Sequence, residues 1–178
     1  MFGKLKLKDW LKISMLIALT VVLGYISGFL RFGNISKISL GFIPVFIGAV
    51  SYGAVAGGVI GASADILSYF FNPTGAFLWQ LTLIEFAYGF IFGILFKRSA
   101  DELKKGYFIR LIICTVIQFA VNLLVKTPVL MSMGYAPSDF SAAVLLRFPA
   151  VAFTMALQLV ILGFSARFMP ILLRFIRN

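Results

Sequence analysis

GAVAGGVIGASADIL, residues 53–67, decides how this chain is read. The stretch is apolar except for Asp65, and Gly53, Gly57, Gly61 and Asp65 recur every four residues. On an α-helix that spacing stacks the four positions along one slowly drifting face. Small residues so spaced let helix backbones approach closely, which is how helices pack in lipid. The acid therefore continues a packing face instead of pointing at lipid. A charge in hydrocarbon costs about 2.5–3.5 kcal/mol on insertion scales, so such residues face protein or a water-filled cavity and mark functional sites by default.

The rest of the chain has the same character. Of its 178 residues 61% are hydrophobic and 12% charged, and the mean hydropathy is +1.03. That leaves too little polar surface to cover a soluble domain. The apolar runs are continuous, which fits helices and not the alternating strands of a membrane barrel. The expected fold is an all-α polytopic bundle of six transmembrane helices in one membrane domain, residues 1–178, with spans at about 11–30, 38–50, 53–71, 77–96, 107–127 and 140–164. The first run is too long for a signal-peptide core and no small-x-small cleavage pattern follows, so it is read as a retained span. The second is short and contains Pro44, and Asn72-Pro73-Thr74-Gly75 is a strong turn signal after the third.

Six spans put both termini on one side. Twelve of the sixteen basic residues fall at the N-terminus, in the loop between spans four and five, and in the C-terminal tail. By the positive-inside rule that side, with both termini, is cytoplasmic. The net charge of +10 is thus mostly a topology signal with affinity for anionic lipid headgroups. The charges are scattered over separate loops and form no basic stripe, so no nucleic-acid partner is expected.

Four basic residues remain for the outer half: Arg31, Lys37, Lys126 and Arg147. Asp139 and the two membrane acids, Asp65 and Glu85, oppose them there. Counted at 1.5 Å per residue, Asp65, Glu85 and Arg147 lie roughly 9, 12 and 10 Å below the outer ends of their spans, with Lys126 at the outer rim. Glu85, Gly89 and Gly93 repeat the four-residue spacing in span four, Gln118, Asn122 and Lys126 do so in span five, and Arg147 and Gln158 are eleven apart in span six. Two readings stand: ion pairs that fix helix packing, or the lining of one outward-facing pocket. Lys126 and Arg147 could also snorkel to the interface. The shared depth on four helices favours the pocket. Phe70, Phe71, Phe77, Trp79 and Tyr88 are candidates to stack a flat ring, although Trp79 also suits an interfacial anchor.

Enzyme chemistry has little to stand on. The chain has no histidine, no GxxxxGK[ST] phosphate loop and no metal-ligand set, so neither a cofactor nor a metal is expected. The lone Cys114 falls mid-run and cannot form an internal disulfide.

Three stretches carry a resemblance: KISLGFIPVFIGAV (residues 37–50), GAVAGGVIGASADIL, and PTGAFLWQLTLIEFAYGFIFGILF (residues 73–96). Together with six spans and no energy-coupling motif, they resemble the substrate-binding S components of energy-coupling factor (ECF) vitamin transporters, of the folate type. The resemblance is good over residues 11–96 and looser beyond, through Asn122, Pro128 and the Arg147 region. Ser14-Met-Leu-Ile-Ala18 is similar to the family's Ala-xxx-Ala face for the coupling subunit, with serine replacing the first alanine. Tyr52-Gly53-Ala54 departs from the Gly-Pro common among relatives.

What the resemblance implies is capture of folate or a reduced folate from outside, in a bacterial cytoplasmic membrane. Delivery would need a transmembrane coupling subunit and two ATPase subunits. A pterin edge would suit Asp65, Glu85 or Asn122, its ring would stack on Trp79 or neighbours, and the glutamate tail would suit Arg31, Lys126 or Arg147. Riboflavin, pantothenate or a thiamine precursor on the same scaffold is the alternative ligand. A structural membrane protein without a ligand is the alternative from another class.

Overall fold

The computed structural model describes residues 6–27, 31–32, 36–37, 39–71, 77–96 and 106–165. Six helices carry the fold: α1 Leu7–Ser27, α2 Phe42–Tyr52, α3 Ala54–Phe71, α4 Trp79–Phe96, α5 Tyr107–Ser132 and α6 Phe140–Ser165. All but α2 are long and apolar enough to cross a membrane. At eleven residues α2 spans only about 16 Å, half of the hydrocarbon core. Pro44 sits in its first turn, where no backbone N–H is needed, so the helix starts there without a kink.

The hydropathy pattern does not foretell a two-residue strand pair between α1 and α2. Arg31–Phe32 (β1) and Ser36–Lys37 (β2) run antiparallel, with Arg31 opposite Lys37. Strands of two residues are too short to show an alternating pattern. β2 lies against α6, so the hairpin links the first helix to the last.

Helices α1 to α4 pack as one group, with α3 against α4 the most extensive contact; α5 joins it through α4, and α6 packs on α5. The α3–α4 contact is made by the glycines. A Cβ on Gly57 would come within 2.5 Å of the Gly89 carbonyl oxygen, and one on Gly61 within 2.6 Å of that of Glu85. A Cβ on Gly93 would collide with the Ala54 backbone. Without a hydrophobic effect between helices in lipid, this close approach supplies the dispersion contacts that hold them. Gly53 sits in the single-residue break between α2 and α3 with φ +97°, a conformation that excludes most side chains.

One end of the bundle is filled by apolar side chains. Phe46 meets Phe92 and Phe96 edge to face, both at 5.1 Å between ring centres, and Phe96 meets Tyr107 at 5.3 Å. Ile60, Leu111, Cys114 and Leu162 complete this core. The opposite end, where α1, α3 and α5 finish and α4 and α6 begin, encloses a cavity.

Candidate binding cavity

The cavity is about 580 Å³ and is lined by α1 to α6. Phe92 and Val45 belong both to its lining and to the apolar core, so the core forms its floor. The volume falls within the roughly 300–1,000 Å³ of small-molecule sites.

Its charged residues form one layer. Asp65, Glu85 and Lys126 each lie six residues in from the helix ends Phe71, Trp79 and Ser132, and Arg147 lies seven in from Phe140. At 1.5 Å per residue that is roughly 9–10 Å from the loop end for all four. The hydropathy pattern ends span five at Thr127 and so leaves Lys126 at the rim. The helix continues to Ser132 because Pro128 sits at the start of a new helical turn, where its missing N–H costs nothing. Lys126 is thereby drawn into the layer.

Within the layer the partners are specific. Lys126 Nζ donates to Glu85 Oε1 at 2.9 Å, with side chains 22% and 34% exposed. Thr82 Oγ1 donates to Asp65 Oδ2 at 2.7 Å, which ties α4 to α3. Arg147 is only 4% exposed, and its guanidinium bonds α5 through both Nη atoms while its Nε has no partner among the described residues. Its Nη2 donates to Asn122 Oδ1 at 2.9 Å, and Nη1 donates to Thr127 Oγ1 and to the Asn122 carbonyl oxygen.

These bonds fall on an irregularity. Residues Asn122–Lys126 form a π-helical turn within α5. Such bulges release backbone carbonyls from the regular ladder and recur at functional sites. Here the Asn122 carbonyl accepts from Arg147 and from Thr127 Oγ1, and the turn aims Asn122 and Lys126 into the cavity. Further in, Gln118 and Gln158 are each 2% exposed, and Gln158 Nε2 donates to Gln118 Oε1 at 2.8 Å. Tyr88 hangs over this level, its hydroxyl donating to the Gln118 carbonyl oxygen at 3.4 Å. Tyr25, Tyr69, Phe71, Phe77 and Tyr135 line the loop end.

The sequence-derived candidates thus divide. Asp65, Glu85, Asn122, Lys126 and Arg147 all line the cavity. Trp79 does not: it is 60% exposed at the start of α4, and Phe77, two residues earlier, faces the cavity instead. The backbone of Arg31 lies in the hairpin, and its side chain is outside the described part of the structure. Ser14 and Ala18 lie on the exposed side of α1, with Ser14 Oγ donating to the Trp10 carbonyl oxygen at 3.0 Å. Thr82 and Thr127 escape sequence reasoning, because a threonine in an apolar helix gives no sign of bonding a neighbouring helix.

A helical membrane protein that gathers carboxylates, cations and amides around an inner cavity is a small-molecule binder. The chain matches the family described as "ECF transporter, substrate-specific component" over residues 8–172, and it belongs to that family. The family is a transporter component, and the protein is a multi-pass membrane protein. Folate transporter FolT of Clostridium novyi (strain NT) is 31% identical over 93 residues, which is 52% of each chain. The chain therefore matches about half the length of that curated relative. The fold is that of FolT in its crystal structure bound with folic acid, with a TM-score of 0.77 at 21% identity over 91% of this chain and 94% of that one. ThiT from Listeria monocytogenes is similar as well, with a TM-score of 0.67 at 19% identity over 93% of this chain and 96% of that one.

Proposed function

We propose that this chain captures folate, or a reduced folate, from outside a bacterial cytoplasmic membrane and passes it inward with a transmembrane coupling subunit and two ATPase subunits. The observation that carries the reading is the layered cavity: a buried amide pair above an apolar floor, a layer holding two acids and two cations, and an aromatic rim. A folate has the matching sequence of parts, a heteroaromatic ring with donors and acceptors, a benzoyl linker and a tail with two carboxylates. The named relative supports the same ligand over its half-length match. The likeness to ThiT keeps a second vitamin in view, since fold alone does not choose between them.

One assignment changes from those the sequence favours, that of Arg147, and the tail candidates narrow. The tail partner on α5 is Lys126, which can exchange Glu85 for a ligand carboxylate, with Arg31 as its candidate companion at the hairpin. Arg147 acts through Asn122, whose side chain it holds in place. Coupling is assigned to the exposed Ser14 and Ala18 of α1, where small residues permit a close helix approach.

A thermal-shift panel on the purified protein tests the reading. Folic acid at a hundredfold over its Kd is expected to stabilise by about 2.7 kcal/mol, with riboflavin, thiamine and pantothenate giving no shift. Stabilisation by one of those three and not by a folate would overturn it.

A further inference from the structure

Gln118 and Gln158 are the innermost polar side chains of the cavity, about 12 Å along α5 from Lys126 in the case of Gln118. Both are almost wholly buried, and they share one hydrogen bond. That bond leaves Gln118 Nε2 without a partner. A buried amide N–H left unpaired costs about 1–3 kcal/mol, so such a group calls for a partner. Phe92 and Met155, which line the cavity with it, offer no oxygen or nitrogen acceptor.

Two primary amides joined by one hydrogen bond leave the NH2 of one and the carbonyl of the other unused by the pair, here Gln118 Nε2 and the Gln158 carbonyl. Turning both amides over reverses which residue donates, yet again leaves one donor beside one acceptor. The pair is thus matched to a partner that presents a donor next to an acceptor on one rigid edge. The edge of a planar nitrogen heterocycle with a ring carbonyl beside a ring N–H has this form. A carboxylate does not, because it only accepts. The charged tail of a ligand accordingly belongs at the Lys126 layer and its ring at the floor.

We propose that the Gln118–Gln158 amide pair is the specificity element that reads the ring edge of the ligand, which enters ring first. This inference rests on the folate reading above and assigns the orientation within it.

The experiment measures Kd in the full-length purified protein for folic acid and for its 4-amino analogue, in which an amine replaces the ring carbonyl and a bare nitrogen replaces the N–H. Wild type can turn its amides over to meet either edge. Gln118→Glu cannot: its carboxylate only accepts, so at ring position 4 the amine keeps its partner there and the carbonyl loses one. The ratio of the two Kd values is expected to move at least tenfold towards the 4-amino analogue in Gln118→Glu, whose carboxylate faces the ring carbonyl position, and in the opposite direction in Gln158→Glu, whose carboxylate faces the ring N–H position. Variants that weaken both ligands equally would show a merely structural pair and overturn the inference, while the folate reading stands. If both variants fail to fold, wild type decides: folic acid methylated at the ring N–H must bind at least tenfold more weakly than folic acid, and equal affinity overturns the inference. If neither pteridine binds wild type, the folate reading falls and this inference with it.

Discussion

At one end of the bundle Phe46, Phe92, Phe96 and Tyr107 interlock edge to face among aliphatic side chains. At the other, the same helices carry Asp65, Glu85, Asn122, Lys126 and Arg147 around a cavity of about 580 Å³. α3 and α4 serve both ends, and their glycines set the spacing along the whole contact. The apolar end holds itself together by packing alone. The polar end is held by bonds between helices, each of which ties up a group that a ligand can use. In the proposed reading the first end serves stability and the second recognition, so the two are expected to respond differently to substitution.

The largest effect is expected where both ends depend on one contact. Gly89→Leu places a side chain into the backbone of Gly57 and separates α3 from α4. The variant is expected to lose the folded state, read as loss of a monodisperse species on size exclusion, with no rescue by ligand. Next is Phe46→Ala at the apolar end. Removing a ring that contacts two others is expected to cost about 3 kcal/mol in thermal or denaturant unfolding, with ligand Kd changed less than twofold. A Phe46→Ala variant that loses affinity as much as stability would erase the distinction between the ends.

At the polar end the expected signs reverse. Glu85→Gln leaves Lys126 without its counter-charge and is expected to cost about 1–2 kcal/mol, the pair being partly exposed. Adding Lys126→Met removes the stranded charge and is expected to restore most of that stability, while affinity for folic acid stays at least tenfold down. If affinity returns with stability, the pair serves packing only. The smallest effect is expected from Trp79→Ala, exposed and outside the cavity: under about 0.5 kcal/mol in stability and no change in Kd.

Much of the polar end was legible in the sequence. Four-residue spacing ties Asp65 and Glu85 to glycine faces, and the contacts of Gly61 and Gly89 show why: only a face pressed against a neighbouring helix keeps an acid out of lipid. Regular helical spacing could not reveal the π-helical turn at Asn122–Lys126, where Arg147 bonds Asn122 from α6. The role of Arg147 was hidden for the same reason. A buried guanidinium reads from sequence as a ligand for anions, yet the nearest acceptors here belong to α5. Trp79 was misplaced by composition: a tryptophan near a helix start suits a ring stack or an interface, and only the rotation of α4 separates the two. Gln118 stood out in a polar stripe with Asn122 and Lys126, and Gln158 on the face of Arg147, but their pairing across two helices is a tertiary fact.

The most direct test of the central claim is to purify the protein from cells grown with a mixture of vitamins and identify the bound small molecule by absorbance and mass spectrometry. The account predicts a folate, at close to one per chain. A bound flavin or thiamine compound, or a protein that retains nothing and is not stabilised by added folates, would contradict it.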